Sequence, residues 1–214
     1  MYTIKGYTCP ICKDMLWLLP DVPVRDPRFG KAVRCHCQQG VDAGRRRARL
    51  QQIDGLRPAE REIRFERLLV NDANRAAVDA VERAVVARRG MVTLTGAPGT
   101  GKSTLLICAV NAAREVNITA VYTTVTDLLY YLRAAFEPRN GSRQDNSEAR
   151  GEGDAGNLAF ARRWELLLSA EVLALDELDE FSATDWALER FQLLVDERWR
   201  SMDDHLTLLA TNAR

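Results

Sequence analysis

The apolar run Met91–Thr95 (MVTLT) leads straight into Gly96-Ala97-Pro98-Gly99-Thr100-Gly101-Lys102-Ser103, and a helical pattern opens at Lys102. Few local structures accommodate a strand, a glycine-rich loop and a helix in immediate succession. The glycines let the backbone wrap so that successive N–H groups point inward at an anion. The start of the helix adds its positive dipole end. The residues from Gly96 to Thr104 are therefore read as a cradle for nucleotide phosphates. Lys102 reaches the β and γ phosphates, and the Ser103 hydroxyl takes a magnesium position.

Roughly 70 residues downstream, Val172-Leu173-Ala174-Leu175 reads as a buried strand that ends in Asp176-Glu177. An apolar strand of a parallel sheet delivers its carboxyl end beside the phosphate loop. Asp176 is expected to hold magnesium, and Glu177 to orient or activate the attacking water. Asp179 and Glu180 read as solvated loop acids. Leu208-Leu209-Ala210-Thr211-Asn212 repeats the layout, with a polar tip after an apolar strand. Asn212, with Thr211 as second choice, is placed between the two motifs, in reach of γ-phosphate and water. The site is thus one for ATP with Mg2+, with Lys102, Asp176, Glu177 and Asn212 as its catalytic set.

Between these motifs the pattern alternates. Asn71 and Asp72 are expected to cap a helix whose apolar positions run from Ala77 to Val85, ended by Gly90. Ile118–Tyr122 reads as a strand, Thr126 as the cap of a helix through Ala135, and Leu158–Ser169 as a helix. Thr184–Arg200 is amphipathic, with Trp186, Phe191, Leu194, Val195 and Trp199 on its buried stripe. Residues 137–157 contain no large apolar side chain and are expected to be a disordered insertion. Strands alternating with helices give an α/β fold, a parallel sheet flanked by helices.

No stretch approaches the roughly 20 apolar residues of a membrane span, and the first residues do not form a secretory signal. A cytoplasmic protein with no membrane partner is expected. Formal charges balance, 30 basic against 30 acidic, yet they are segregated. Arg25–Arg67 carries 12 basic and six acidic residues, whereas Glu165–Asp204 carries three and 12. Two readings stand: solvated surfaces of opposite sign, or a basic arm that meets nucleic acid or an acidic partner.

Four of the five cysteines are paired, Cys9-x-x-Cys12 and Cys35-x-Cys37, and Cys108 stands apart in a helical context. In a reducing compartment, paired cysteines suggest metal. Four thiolates match the tetrahedral preference of zinc, and a segment too poor in apolar residues to close a core calls for such a staple. A zinc-bound module with a basic helix is expected over residues 1–57, and the ATPase core over 58–214.

With these residues in view, the chain resembles the DnaC/DnaI-type helicase loaders, the AAA+ group that also includes IstB transposition helpers. The resemblance rests on CPIC…CHC at 9–37, RFERLLV at 64–70, GAPGTGKS and VYTTVTDLLYYLRAAF at 121–136. LALDELDEF at 173–181 and LLATN at 208–212 complete it. It implies an AAA+ fold, ATP hydrolysis, binding of a replicative DNA helicase through the N-terminal region, and contact with single-stranded DNA. The family continues past the LLATN strand into another strand, an arginine finger and a helical lid, whereas Arg214 ends this chain. The expectation is a fragment, or a truncated, phage-like or degenerate loader, with the lid absent and activity weak. An ATP-dependent homo-oligomer is expected only of a longer form. The rival readings are an IstB-like transposition helper and a nucleotide-dependent adaptor with little hydrolysis.

Overall fold

The computed structural model describes residues 8–136 and 152–212. The chain divides into two compact units, residues 1–48 and 49–214. In the first, β1 (Trp17–Leu18) pairs antiparallel with β2 (Val33–Arg34), and α1 (His36–Leu50) follows. Lys13, Asp14 and Leu16 take left-handed backbone angles. The turn they shape is held where the Asp14 carboxylate accepts from the N–H groups of Thr8 and Cys9.

The second unit is a four-stranded parallel sheet in the order β3 (Gly90–Thr95), β6 (Leu206–Thr211), β5 (Val172–Asp176), β4 (Ala120–Thr124). Its helices are α2 (Arg75–Ala87), α3 (Lys102–Glu115), α4 (Val125–Arg133), α5 (Glu152–Leu168) and α6 (Asp185–Arg200). The central strands β5 and β6 are mostly apolar because both of their faces are covered, with the exceptions of Asp176, Thr207 and Thr211. Alternate side chains serve different cores. Val172, Ala174, Leu206, Leu208 and Ala210 pack with Val78, Val81, Leu106 and Val110, from α2 and α3. Leu173, Leu175 and Leu209 pack with Leu128, Leu132, Leu167 and Leu194, from α4, α5 and α6.

Several local expectations shift. Thr124, not Thr126, caps α4, its hydroxyl accepting from Asp127 N–H at 3.0 Å, because the strand before it runs two residues further than expected. Asn71 does not cap α2. Its side chain accepts from the N–H groups of Ala73 and Asn74 in a turn that precedes the helix, and Arg88 takes the left-handed C-cap ahead of Gly90. Residues 152–157 of the expected insertion are helical, as the opening of α5; the remainder, 137–151, lies outside the described residues.

The largest departure is on α6. Trp199 is 57% exposed, and Arg198 takes the inward position with no exposure at all. Ala187, Leu194 and Arg198 continue one helical stripe at spacings of seven and four, and Trp199 falls a residue off it. Arg198 is tolerated inside because its guanidinium meets oxygens on every side. Nε donates to Thr207 Oγ1 at 2.8 Å, Nη1 to the carbonyls of Ala170 at 2.7 Å and Leu168 at 3.2 Å, and Nη2 to the Leu206 carbonyl at 2.7 Å. Burial still pulls its pKa down to about 10. The contact ties the end of α6 to the starts of β5 and β6. Arg198→Ala leaves several buried carbonyls without donors and is expected to cost about 3 kcal/mol. Arg198→Lys should recover only part, since an ammonium cannot reproduce the planar fork. Urea denaturation midpoints at unchanged slope check both.

Candidate functional site

The loop after β3 turns on glycines. Gly99 has φ 80° and Gly101 φ 89°, angles at which a side chain is strained, and Gly101 then opens α3. Thr100 closes the turn by donating its hydroxyl to the Ala97 carbonyl at 2.9 Å. The Lys102 ammonium curls over the loop. It donates to the carbonyls of Gly96 at 2.9 Å and Ala97 at 3.0 Å, and to Asn212 Oδ1 at 2.8 Å. Residues 96, 97, 100 and 102 are thus joined in one hydrogen-bonded loop, and the tip of β6 is joined to it.

A cleft of about 310 Å³ is lined by Pro98, Lys102, Ser103 and Thr104 of the loop and α3, Asp176 and Glu177 after β5, and Thr211 and Asn212 after β6. The four expected catalytic side chains share this one cleft. Asp176 is 3% exposed, and both its oxygens are engaged. Oδ1 accepts from Glu177 N–H at 2.9 Å, and Oδ2 accepts from the Tyr122 hydroxyl at 2.7 Å. Burial and then the neighbouring Asp176 raise the Tyr122 pKa, so the phenol stays a donor. Glu177 has φ 57°, a strained angle for a residue with a side chain. Its carboxyl pKa is raised by burial first, then by Glu180, Asp176, Asp127 and Asp179.

The donor set suits a magnesium ion. Ser103 supplies a hydroxyl on the rim of the cleft, and a buried carboxylate already oriented by two donors is suited to holding such an ion through water. Next to this cleft lies a second of about 530 Å³, between the loop and the segment leading into α2. Leu68, Leu69, Ala77, Val78 and Leu105 give it apolar walls, fitting a flat base more than a phosphate.

Three residues were not readable as site components. Tyr122 looks like an ordinary strand aromatic until the β4–β5 pairing brings it over Asp176. Asp54, its side chain fully enclosed, takes a 2.7 Å ion pair from Arg114, while Gly55 N–H donates to the Tyr122 carbonyl at 2.8 Å, which anchors the strand from its outer side. Asp179, expected as a solvated acid, accepts from Thr211 Oγ1 at 3.0 Å and from Asn212 N–H at 2.8 Å. A polar residue three places beyond a strand carries no sequence signal for such a contact.

In the first unit, the sulfurs of Cys9, Cys12, Cys35 and Cys37 all lie within 4.8 Å of one another. Cys9 and Cys35 are 3.8 Å apart and Cys12 and Cys37 are 3.4 Å apart, as free thiols. Four sulfurs at the usual zinc–sulfur bond length lie roughly 3.8 Å apart in a tetrahedron, so the set fits one zinc ion. The Cys12 backbone N–H, with help from Ile11, brings the Cys9 thiol down to about 6, whereas burial and the neighbouring thiols push Cys37 up. Four thiolates this close ionise together only around a cation. Cys108 is buried within α3, and burial raises it to about 11; it is no part of the cluster.

Two outcomes follow. Because the folded chain binds the Glu177 proton more tightly than the unfolded chain does, stability falls as pH rises from the ordinary 4.5 through the raised value. Glu177→Gln is therefore expected to unfold at higher denaturant than the parent at pH 7, with the gain shrinking as pH approaches 4.5; melts across that range read it directly. Metal analysis of the purified chain should give about one equivalent of zinc, lost on Cys12→Ser, with the second unit's melting unchanged.

The comparisons with known proteins agree with this geometry. A family model described as an AAA domain matches residues 86–209, more than half of the chain. A search of the curated proteins finds no match in sequence. Among solved structures, the chain is similar to the replication initiator DnaA bound to AMPPCP and single-stranded DNA, with TM-score 0.57 and 18% identity over 75% of this chain and 44% of that one. It is similar to DnaI with TM-score 0.53 and 17% identity, over 75% and 78% of the two chains. For the DnaC helicase loader the values are 0.54 and 15%, over 74% and 81%. The chain spans 44% of the length of each of the two AMPPCP-bound DnaA structures it matches. At these identities the structural likeness is one of fold. From the family match and the cradle, acid pair and sheet order that accompany it, the chain belongs to the AAA domain family.

Proposed function

We propose that this chain is an ATP-binding and ATP-hydrolysing DNA replication protein that loads a replicative helicase onto DNA. The observation that carries the ATPase reading is the convergence of Lys102, Asn212, Asp176 and Glu177 on one cleft, with Lys102 and Asn212 already hydrogen-bonded. Lys102 exchanges its carbonyl partners for β and γ phosphate oxygens, which offer stronger, charge-assisted bonds. Ser103 and Asp176 would hold Mg2+, which supplies positive charge to the triphosphate when bound. Glu177 has a carboxylate at the cleft with a raised proton affinity, as a base taking a proton from water needs. Asn212 presents one amide to both phosphate and water. The apolar cleft walled by Leu68, Leu69 and Val78 takes the adenine.

The replication reading is supported by the CPIC…CHC and TTVTDLL segments and by the folds of DnaC, DnaI and DnaA. Helicase binding falls to the cysteine unit, and single-stranded DNA is the nucleic-acid partner. Lys102→Ala is expected to abolish binding of a fluorescent ATP analogue, and Glu177→Gln to keep binding while phosphate release stops. Normal turnover by the Glu177 variant refutes the assignment. For the loading step, the chain should retain its host's replicative helicase on a single-stranded DNA column only with ATP present. Retention of a transposase in place of the helicase points to the transposition reading.

A further inference from the structure

We propose that Asp179 is a positioning residue that fixes Asn212 against Lys102, and so sets how strongly the site favours a nucleoside triphosphate over a diphosphate. The proposal rests on the ATPase reading of the cleft. β6 ends at Thr211, whose ladder partner is Thr95, the last residue of β3. Beyond that pair Asn212 is outside the sheet and requires another anchor. The loop after β5 supplies it. Leu178 N–H donates to the Ala210 carbonyl at 3.2 Å, and one oxygen of Asp179 accepts both the Thr211 hydroxyl at 3.0 Å and the Asn212 N–H at 2.8 Å. With its backbone so held, Asn212 turns its amide between unlike partners: Nδ2 toward Glu180 Oε1 at 3.5 Å and Oδ1 to the Lys102 ammonium at 2.8 Å.

An ammonium, which only donates, selects Oδ1, and a carboxylate, which only accepts, selects Nδ2, so both partners favour one orientation of the amide. The Asp179 carboxyl is held below the usual carboxylate range, chiefly by the Asn212 N–H, so the acceptor persists at neutral pH. The hydrogen-bonded path therefore runs from the acidic loop, through Asn212, to the lysine of the phosphate cradle. A diphosphate meets the cradle and, through its β-phosphate, Lys102; a γ-phosphate must also meet Asn212. Loosening Asn212 thus weakens the triphosphate selectively.

The test uses the full chain with two readouts. In the nucleotide-free protein, the assigned backbone and side-chain amide resonances of Asn212 should shift in Asp179→Ala and stay close to the parent in Asp179→Asn, whose amide oxygen still accepts both bonds. In titrations with fluorescent analogues, Asp179→Ala should lose about tenfold in affinity for the non-hydrolysable triphosphate, as one charge-assisted bond predicts, while the diphosphate changes little. Asp179→Asn should restore the preference. Asn212 resonances unmoved by Asp179→Ala overturn the proposal alone, as does an equal loss for both nucleotides. A parent chain that binds neither nucleotide overturns the ATPase reading, and this role with it, whatever the resonances show.

Discussion

The site depends on β6 lying between β3 and β5. All three strands run the same way, so their carboxyl ends open on one edge of the sheet. Register follows from burial. Leu206, Leu208 and Ala210 face one core and Leu209 faces the other, so a slip of one residue would turn each set into the wrong core. With β6 fixed, Thr211 lies level with Thr95, and Asn212 emerges where the phosphate loop begins. The 2.8 Å contact between Lys102 and Asn212, residues 110 positions apart, is a consequence of that packing. Arg198 secures the opposite end of the same strands through four oxygens, three of them backbone carbonyls.

The glycine loop, the acidic strand end and the α/β alternation were legible because each is local: a period of two or 3.6, or a motif whose spacing reflects a single turn. The strands and principal helices follow within a few residues. The residues around the motifs were not legible, since they depend on pairing. Tyr122 meets Asp176 only once β4 lies beside β5, and Asp179 meets Asn212 only once the loop after β5 folds onto β6. The error on α6 has the same origin. Hydrophobicity put Trp199 inside, whereas the stripe set by Ala187 and Leu194 puts Arg198 there, where strand-end carbonyls satisfy it. At 152–157 composition misled, because a polar sequence with few apolar residues can still open a helix whose later turns are buried.

The cysteine unit obeys a different economy. Among the described residues from 8 to 37, the buried side chains are Cys9, Cys12 and Cys35, while Ile11, Met15, Trp17, Leu19, Val24 and Phe29 are exposed. Among these residues the interior is chiefly sulfur, with Leu18 packed partly buried against it. A chain that buries so little surface cannot offset the entropy of ordering itself through the hydrophobic effect. Two short strands paired over two residues add little. Four thiolates able to hold one metal ion would contribute folding free energy directly on binding it, which fits a middle made of sulfur and not of leucine.

In the nucleotide cleft, opposite charges are close but do not neutralise one another. The Lys102 ammonium bonds to two carbonyls and an amide oxygen, all uncharged. Asp176 accepts from a phenol and a backbone N–H, both uncharged as well. Had Lys102 paired directly with Asp176, an incoming triphosphate would have to break a partly buried ion pair, and breaking such a pair exposes the penalty of two desolvated charges. Neutral partners are cheaper to exchange, and a phosphate oxygen gives the ammonium a stronger bond than a carbonyl does. Tyr122 at Asp176 and Asn212 at Lys102 therefore play like parts. Each satisfies a charged group without cancelling its charge, which on the proposed ATPase reading leaves the lysine available to anionic phosphate and the aspartate to a cation.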